Sequence, residues 1–182
     1  MNIGYPRGNK AMYLARVRAH RKADTLVRGT GWVSGKTGHG CAIGCTIHSY
    51  DHAEYERQIG VPLQIAHLID WLFENMPEED HLGWPERVLT AIPEGANLSR
   101  VYPEWQIRLQ ERNLSRVGEG DEPWREEIRC AIQDVMRIFR EGVTDNYDWS
   151  IPESAALSAA WSAAWSARSA RSAAPSAGSA AW

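Results

Sequence analysis

The stretch Gly38-His39-Gly40-Cys41-Ala42-Ile43-Gly44-Cys45-Thr46-Ile47-His48-Ser49-Tyr50-Asp51-His52 holds two of the chain's three cysteines and three of its six histidines. No other window concentrates so many groups able to bind a metal, attack a substrate or move a proton. On one continuous helix, positions 41, 45, 48 and 52 would share a face. That stripe would run about 16 Å at a rise of roughly 1.5 Å per residue. Four ligands strung along such a line cannot reach one zinc, whose bonds are about 2.0–2.3 Å. Asp51-His52-Ala53-Glu54 has the form of a capping box, with Asp51 as N-cap and Glu54 three residues on. Two helices are therefore expected, one stopping near His48 and the next starting at Asp51. The turn between them would bring His52 back toward Cys45 and His48.

Three chemistries compete for this window. The plainest is a small-residue helix face: Gly40, Cys41, Ala42, Gly44 and Cys45 let another helix approach closely, and a reduced cysteine behaves as a small hydrophobe. The second is a zinc site built from Cys41, Cys45, His48 and His52, with Cys130 needed if His52 is not a ligand. The third is a catalytic pair, Cys45 as nucleophile and His48 as base, although no local signature of a cysteine hydrolase surrounds it. A Cys41–Cys45 disulfide is the least favoured, because it would be strained on a helix.

Upstream, Lys10 to Arg28 has no internal Gly or Pro and reads as a helix closed by Gly29. Five glycines lie between Gly29 and Gly40, and a short hairpin is expected around Trp32 and Val33. Gly35-Lys36-Thr37 fails as a phosphate loop, because Thr30 stands where the motif needs its first glycine.

Downstream, Gly60 closes the helix that Asp51 opens, and Val61-Pro62 restarts the chain. Leu63 to Met76 is the most apolar segment, with Ile65, Leu68, Ile69, Leu72 and Phe73 on one wide face. His67 and Asp70 sit three apart on it and read as an exposed polar pair rather than a catalytic dyad. Glu78-Glu79-Asp80-His81 reads as a solvated acidic loop. Further helices are expected over Trp84–Ile92, Leu98–Val117 with Pro103 as a kink or restart, and Trp124–Glu141, where Cys130 borders the apolar face. Strand signals are otherwise nearly absent. The fold class is mainly α: a bundle-like domain of about six helices over residues 1–149 with one small Gly-rich β or irregular insert.

The tail over 150–182 is different in kind. Ser150-Ile151-Pro152-Glu153 is a capping box, and serines then recur at about the helical repeat among alanines. Leu157, Trp161 and Trp165 form a neighbouring stripe. A helix to about residue 173, stopped by Pro175, is expected. Trp161 and Trp165 would be an exposed apolar patch unless docked, which favours self-association through the tail.

Charge is divided along the chain. Residues 1–40 carry eight Lys or Arg and one acid, for +7, whereas residues 41–150 carry ten basic and twenty-one acidic residues, for −11. Arg16, Arg18 and their basic neighbours have the charge to bind nucleic acid. Pairing with the chain's own acidic remainder is the favoured reading, since aromatics do not interleave with them. Cysteine usage is not that of a disulfide scaffold, no segment has the 18 apolar residues of a membrane span, and no secretory leader is recognisable. These features point to the cytoplasm.

Lys22-Ala23-Asp24, Gly40-Cys-Ala-Ile-Gly-Cys-Thr-Ile-His48, Gly60-Val-Pro62 and Trp84-Pro-Glu86 resemble a family of small uncharacterised bacteriophage and prophage proteins. Some of those also carry Ser-Ala-Ala repeats broken by Trp or Arg at the C-terminus. The resemblance spans roughly residues 15–98 plus the tail. It implies an accessory phage protein acting inside a bacterial host, and carries over no catalytic role. Two functions follow as expectations. One is a non-enzymatic protein that binds a host or phage macromolecule, an inhibitor of a host defence system being one version. The other is an enzyme or metal protein centred on Cys41, Cys45 and His48. The first is favoured.

Overall fold

The structure, a computed structural model, describes residues 1–120 and 122–142. The expected tail helix, with Trp161 and Trp165, lies outside the described residues. Chain contacts form two compact units, Met1–Tyr102 and Pro103–Trp182, so a division falls inside the stretch that reads as one domain.

The first unit is helical with one small antiparallel sheet. In order it holds α1 (Lys10–Lys22), β1 (Trp32–Val33), β2 (His39–Gly40), α2 (Ala42–Ile47), α3 (His52–Ile59), α4 (Leu63–Asn75), α5 (Glu78–His81) and α6 (Trp84–Ala91). The expected hairpin is β1 paired with β2, Trp32 opposite Gly40 and Val33 opposite His39.

Helix α1 stops at Lys22, about two turns before Gly29. Thr25 claims the His20 carbonyl twice, through its N–H at 3.0 Å and its hydroxyl at 3.2 Å. Asp24 takes a left-handed φ of 55°, a conformation Asp tolerates better than most residues. Val27 and Thr25 then bond to the Gly40 backbone, which draws residues 25–27 alongside β2. Tertiary pairing here outweighs the helix propensity of the sequence.

The break after His48 is as expected. Helix α2 closes on His48 at φ 57°, and Asp51 caps α3 by accepting the Glu54 N–H at 2.9 Å. Gly60 ends α3 at φ 88°; a side chain there would collide with the Ile3 carbonyl. That close approach seats the N-terminal segment, whose Tyr5 N–H bonds to the Ile59 carbonyl at 2.9 Å.

Helix α2 is the centre. All six of its residues are buried, and it packs against α1, α3, α4, α6 and both strands. Tyr13 and Val17 from α1, Tyr55 and Ile59 from α3, Ala66, Ile69 and Phe73 from α4, and Leu89 from α6 complete the core. The expected acidic loop at 78–81 is instead the one-turn helix α5, with His81 buried against Phe73.

The second unit, as described, holds most of α7 (Val101–Val117) and α8 (Pro123–Glu141). Pro103 sits in the first turn of α7, where its missing N–H costs little. Arg129 reaches back from α8 to the Gly118 carbonyl at 2.8 Å, and Arg140 pairs with Glu111 of α7 at 3.7 Å. Met136, Ile138 and Phe139 are buried, but Cys130 is exposed on α8 rather than tucked beside its apolar face.

Gly44 gives a direct test of the packing. A methyl group there would meet the Gly31 carbonyl oxygen at 2.1 Å, and that neighbour is backbone. Helix propensity alone would make Gly44→Ala stabilising by about 1 kcal/mol. The overpacking should win, with a net loss of about 1–3 kcal/mol in urea unfolding; a gain in stability would refute the close approach.

Candidate functional site

The Cys/His window does not assemble as one site. Cys41 and Cys45 are both fully buried. The Cys45 thiol donates to the Gly40 carbonyl at 3.2 Å and the Thr25 carbonyl at 3.5 Å, not to His48. Burial pushes its pKa up to about 12. His48 turns the other way, and His52 turns to α4. Neither the expected quartet of Cys41, Cys45, His48 and His52 nor the Cys45–His48 pair is gathered.

Asp70 on α4 gathers a different set. It is 7 % exposed, not the solvated group its sequence neighbourhood suggests. Its Oδ2 accepts from the Tyr50 hydroxyl at 3.1 Å and from His52 Nε2 at 3.2 Å. His67, one turn earlier on α4, stacks on His52 with ring centroids 4.1 Å apart. The other oxygen, Oδ1, is buried and has no hydrogen-bond partner of ordinary geometry. Cys41 Sγ and one carboxylate oxygen each of Asp70 and Glu74 lie within 4.8 Å of one another. Burial, and then the interaction with Asp70, push the Cys41 thiol up to about 12, so it stands protonated beside the carboxylate. Glu74 Oε2 accepts the Gly29 N–H at 2.8 Å. Glu74 and Tyr50 also belong to the wall of an open cleft of about 510 Å³, completed by Gly29, Thr30, Gly31 and Trp32.

One sequence signal could have placed Asp70. It is four residues after Ala66 and three before Phe73, both core residues, so it belongs to the buried side of the helix. Tyr50 and Glu74 carry no comparable signal, because their roles arise only when the turn after α2 meets α4.

A second cluster stands at the end of α2. His48 stacks on Trp32 at 4.6 Å, and His20 Nε2 lies 3.0 Å from His48 Nε2. The hydrogen bonds fix the protons. The Thr25 hydroxyl donates to the His20 carbonyl, so its oxygen accepts from His20 Nδ1–H at 2.8 Å. His20 Nε2 is then the acceptor and His48 Nε2–H the donor. His20 is neutral in this arrangement.

The basic N-terminal residues turn largely to their own chain. Arg16 donates to the Thr46 carbonyl at 2.8 Å, helping to close α2, and lies over the Tyr13 ring. Arg18 and Arg21 both pair with Glu86. Arg28 reaches the Phe73 and Met76 carbonyls and Glu78, and Lys10 the Thr90 and Ile92 carbonyls. This geometry favours self-pairing over phosphate contact for Arg16 and Arg18. Among the described residues, no helix is long and apolar enough to cross a membrane.

Comparison with known proteins adds no relative: no family model, no curated protein and no solved structure matches the chain.

The His20–His48 pair sets a pH dependence. Burial, and after it Arg16, holds both imidazoles below the ordinary histidine value, with His20 also disfavouring charge on His48. The unfolded chain therefore binds protons that the native pair refuses. Stability present above about pH 6.5 is lost as pH falls through that value and through the lowered folded values. The urea midpoint should drop between pH 7.5 and 5.5, and His48→Asn, which tolerates the left-handed backbone, should flatten that drop. An unchanged slope would remove the pair from the account.

Proposed function

We propose that this is a phage accessory protein that works in the cytoplasm of a bacterial host by binding a protein partner, through surface that includes the exposed aromatics Tyr50 and Trp71. The observation behind this reading is the pair of large aromatics left in water: Tyr50 is 55 % exposed and Trp71 is 60 % exposed. Tyr50 lines the cleft and bonds to Asp70, the residue before Trp71 on α4. Aromatic residues of this kind are enriched where proteins bind one another, and Trp and Tyr supply a disproportionate share of the binding energy.

The partner is expected to present a basic segment. Residues 41–150 carry the chain's acidic excess, and Glu74 stands in the cleft wall. An arginine or lysine entering there would meet an acid and the faces of aromatic rings. The basic residues of the N-terminal stretch, by contrast, are mostly engaged with the chain itself.

Cysteine catalysis is not part of this reading. A nucleophilic thiol needs access and a thiolate. Both window cysteines have neither, since each is fully buried with its pKa raised to about 12. Iodoacetamide at neutral pH should label Cys130 in the folded chain and leave Cys41 and Cys45 unmodified until urea is added. Fast labelling of native Cys45 would restore the enzyme reading.

The binding reading is tested with the full chain as bait in bacterial lysate, followed by titration of the purified captured protein. Trp71→Ala should weaken that complex at least tenfold, or about 1.4 kcal/mol, with no loss of helical circular dichroism. Added salt should weaken it further. Failure to capture a specific partner, or equal affinity for wild type and Trp71→Ala, would overturn the assignment of this surface.

A further inference from the structure

Buried carboxylates are costly unless every oxygen is satisfied. Asp70 meets half of that requirement. Two donors, Tyr50 and His52, converge on Oδ2, while Oδ1 is buried with no hydrogen-bond partner of ordinary geometry, and the Cys41 thiol interacts with the carboxylate. The nearby thiol of Cys41 is at best a weak donor. A buried carboxylate with one oxygen left without a hydrogen-bond partner of ordinary geometry, beside a thiol and a second carboxylate, is a cation ligand in waiting.

We propose that Cys41, Asp70 and Glu74 form a divalent-cation site, with zinc the best-suited ion and its fourth position open to the cleft. One sulfur and two carboxylate oxygens are donors that zinc accepts together, whereas magnesium and calcium avoid sulfur. The three donor atoms already lie within 4.8 Å of one another. Tetrahedral zinc, with bonds of about 2.0–2.3 Å, sets its donors roughly 3.3–3.8 Å apart. Rotamer adjustments of about 1 Å close the set.

The surroundings suit the ion as well. His52 and Tyr50 hold Asp70 from behind, the kind of outer support that orients a metal-ligating carboxylate. Glu74 is held by the Gly29 N–H through Oε2, which leaves its other oxygen for the ion. Cys41 is the N-cap of α2, so its position is fixed by the most buried helix of the unit. On binding, the thiol proton leaves to solvent and a thiolate–metal bond replaces it. The route in is the cleft, since Glu74 and Tyr50 border both the cleft and the site. Three protein ligands leave one position for water or for a donor from whatever occupies the cleft.

This site is distinct from the quartet suggested by spacing. It keeps Cys41 and replaces Cys45, His48 and His52 as ligands by two acids from α4. It shares Glu74 and the cleft wall with the partner reading, but Trp71 is not among its ligands, so cobalt binding by the chain alone and the Trp71→Ala titration fail separately.

The test uses the full chain with Cys130→Ser, which removes the exposed thiol, and cobalt(II) chloride as an optical probe. One equivalent of cobalt should produce a thiolate charge-transfer band, and zinc chloride should displace it. Cys41→Ser should abolish the band, and Cys45→Ser should leave it. Glu74→Gln keeps an oxygen for the Gly29 N–H and should still weaken cobalt binding about tenfold or more, with circular dichroism unchanged. That variant keeps the test decisive if Cys41→Ser does not fold. No band in the parent chain would overturn the site. So would a band that survives Glu74→Gln unweakened, or one that is lost in Cys45→Ser or His48→Ala.

Discussion

A carbonyl in a glycine notch holds the first unit together. The Gly31 oxygen accepts the Cys41 N–H at 2.8 Å. A side chain at either Gly40 or Gly44 would come within 2.1 Å of that same oxygen. Gly31 itself stands at φ 60°, a backbone conformation that glycine adopts without strain, and its other side is covered by the Tyr50 ring. The hairpin can therefore lie directly on the first turn of α2. With it come Trp32, which reaches His48, and Tyr50, which reaches Asp70. Removing either glycine would separate the hairpin from α2 and with it both polar clusters.

This contact also explains why the Cys/His string divides. From Cys41 to His48 the chain climbs α2, about 10 Å at the helical rise. From His48 it has four residues to reach His52, enough extended chain to return about the same distance. Cys41 and His52 thus finish near one end of α2, where both neighbour Asp70. His48 is left at the other end with His20 and Trp32. Cys45, in between, faces the carbonyls of Gly40 and Thr25. The spacing is that of two separate sites rather than four ligands of one.

Much of the architecture was legible because it is local. Asp51 with Glu54, Gly60, the span of α4 and the hairpin at Trp32 each depend on a few neighbouring residues, and each lies where the sequence puts it. The buried face of α4 is instead turned toward Ala66, Ile69, Asp70 and Phe73, with Leu68 and Leu72 at its edge. The failures share a different cause. Helix α1 looked longer than it is because nothing in Ala23–Arg28 announces that Thr25 and Val27 will bond to Gly40. Asp70 looked solvated because its partners come from the far side of a turn. Cys130 borders the apolar face of α8 yet is exposed, because amphipathicity alone does not say which flank of that helix is covered. The acidic run at 78–81 looked like a loop because the burial of His81 against Phe73 is a tertiary event.

The same logic bears on what the polar groups packed against the core are for. Arg16, Arg28 and Lys10 spend their charge on carbonyls at helix ends, which is a structural use: each satisfies groups that a helix terminus leaves open. Asp70 is not at a helix end and satisfies no such need. It accepts two donors whose own positions are set by other contacts, and its buried Oδ1 has no partner of ordinary geometry, only the weak thiol of Cys41 nearby. An apolar residue of similar size would avoid that desolvation cost and would free Tyr50 and His52 to face water. Stability by itself therefore gives no reason for a carboxylate at this point in the core. A ligand that completes it does.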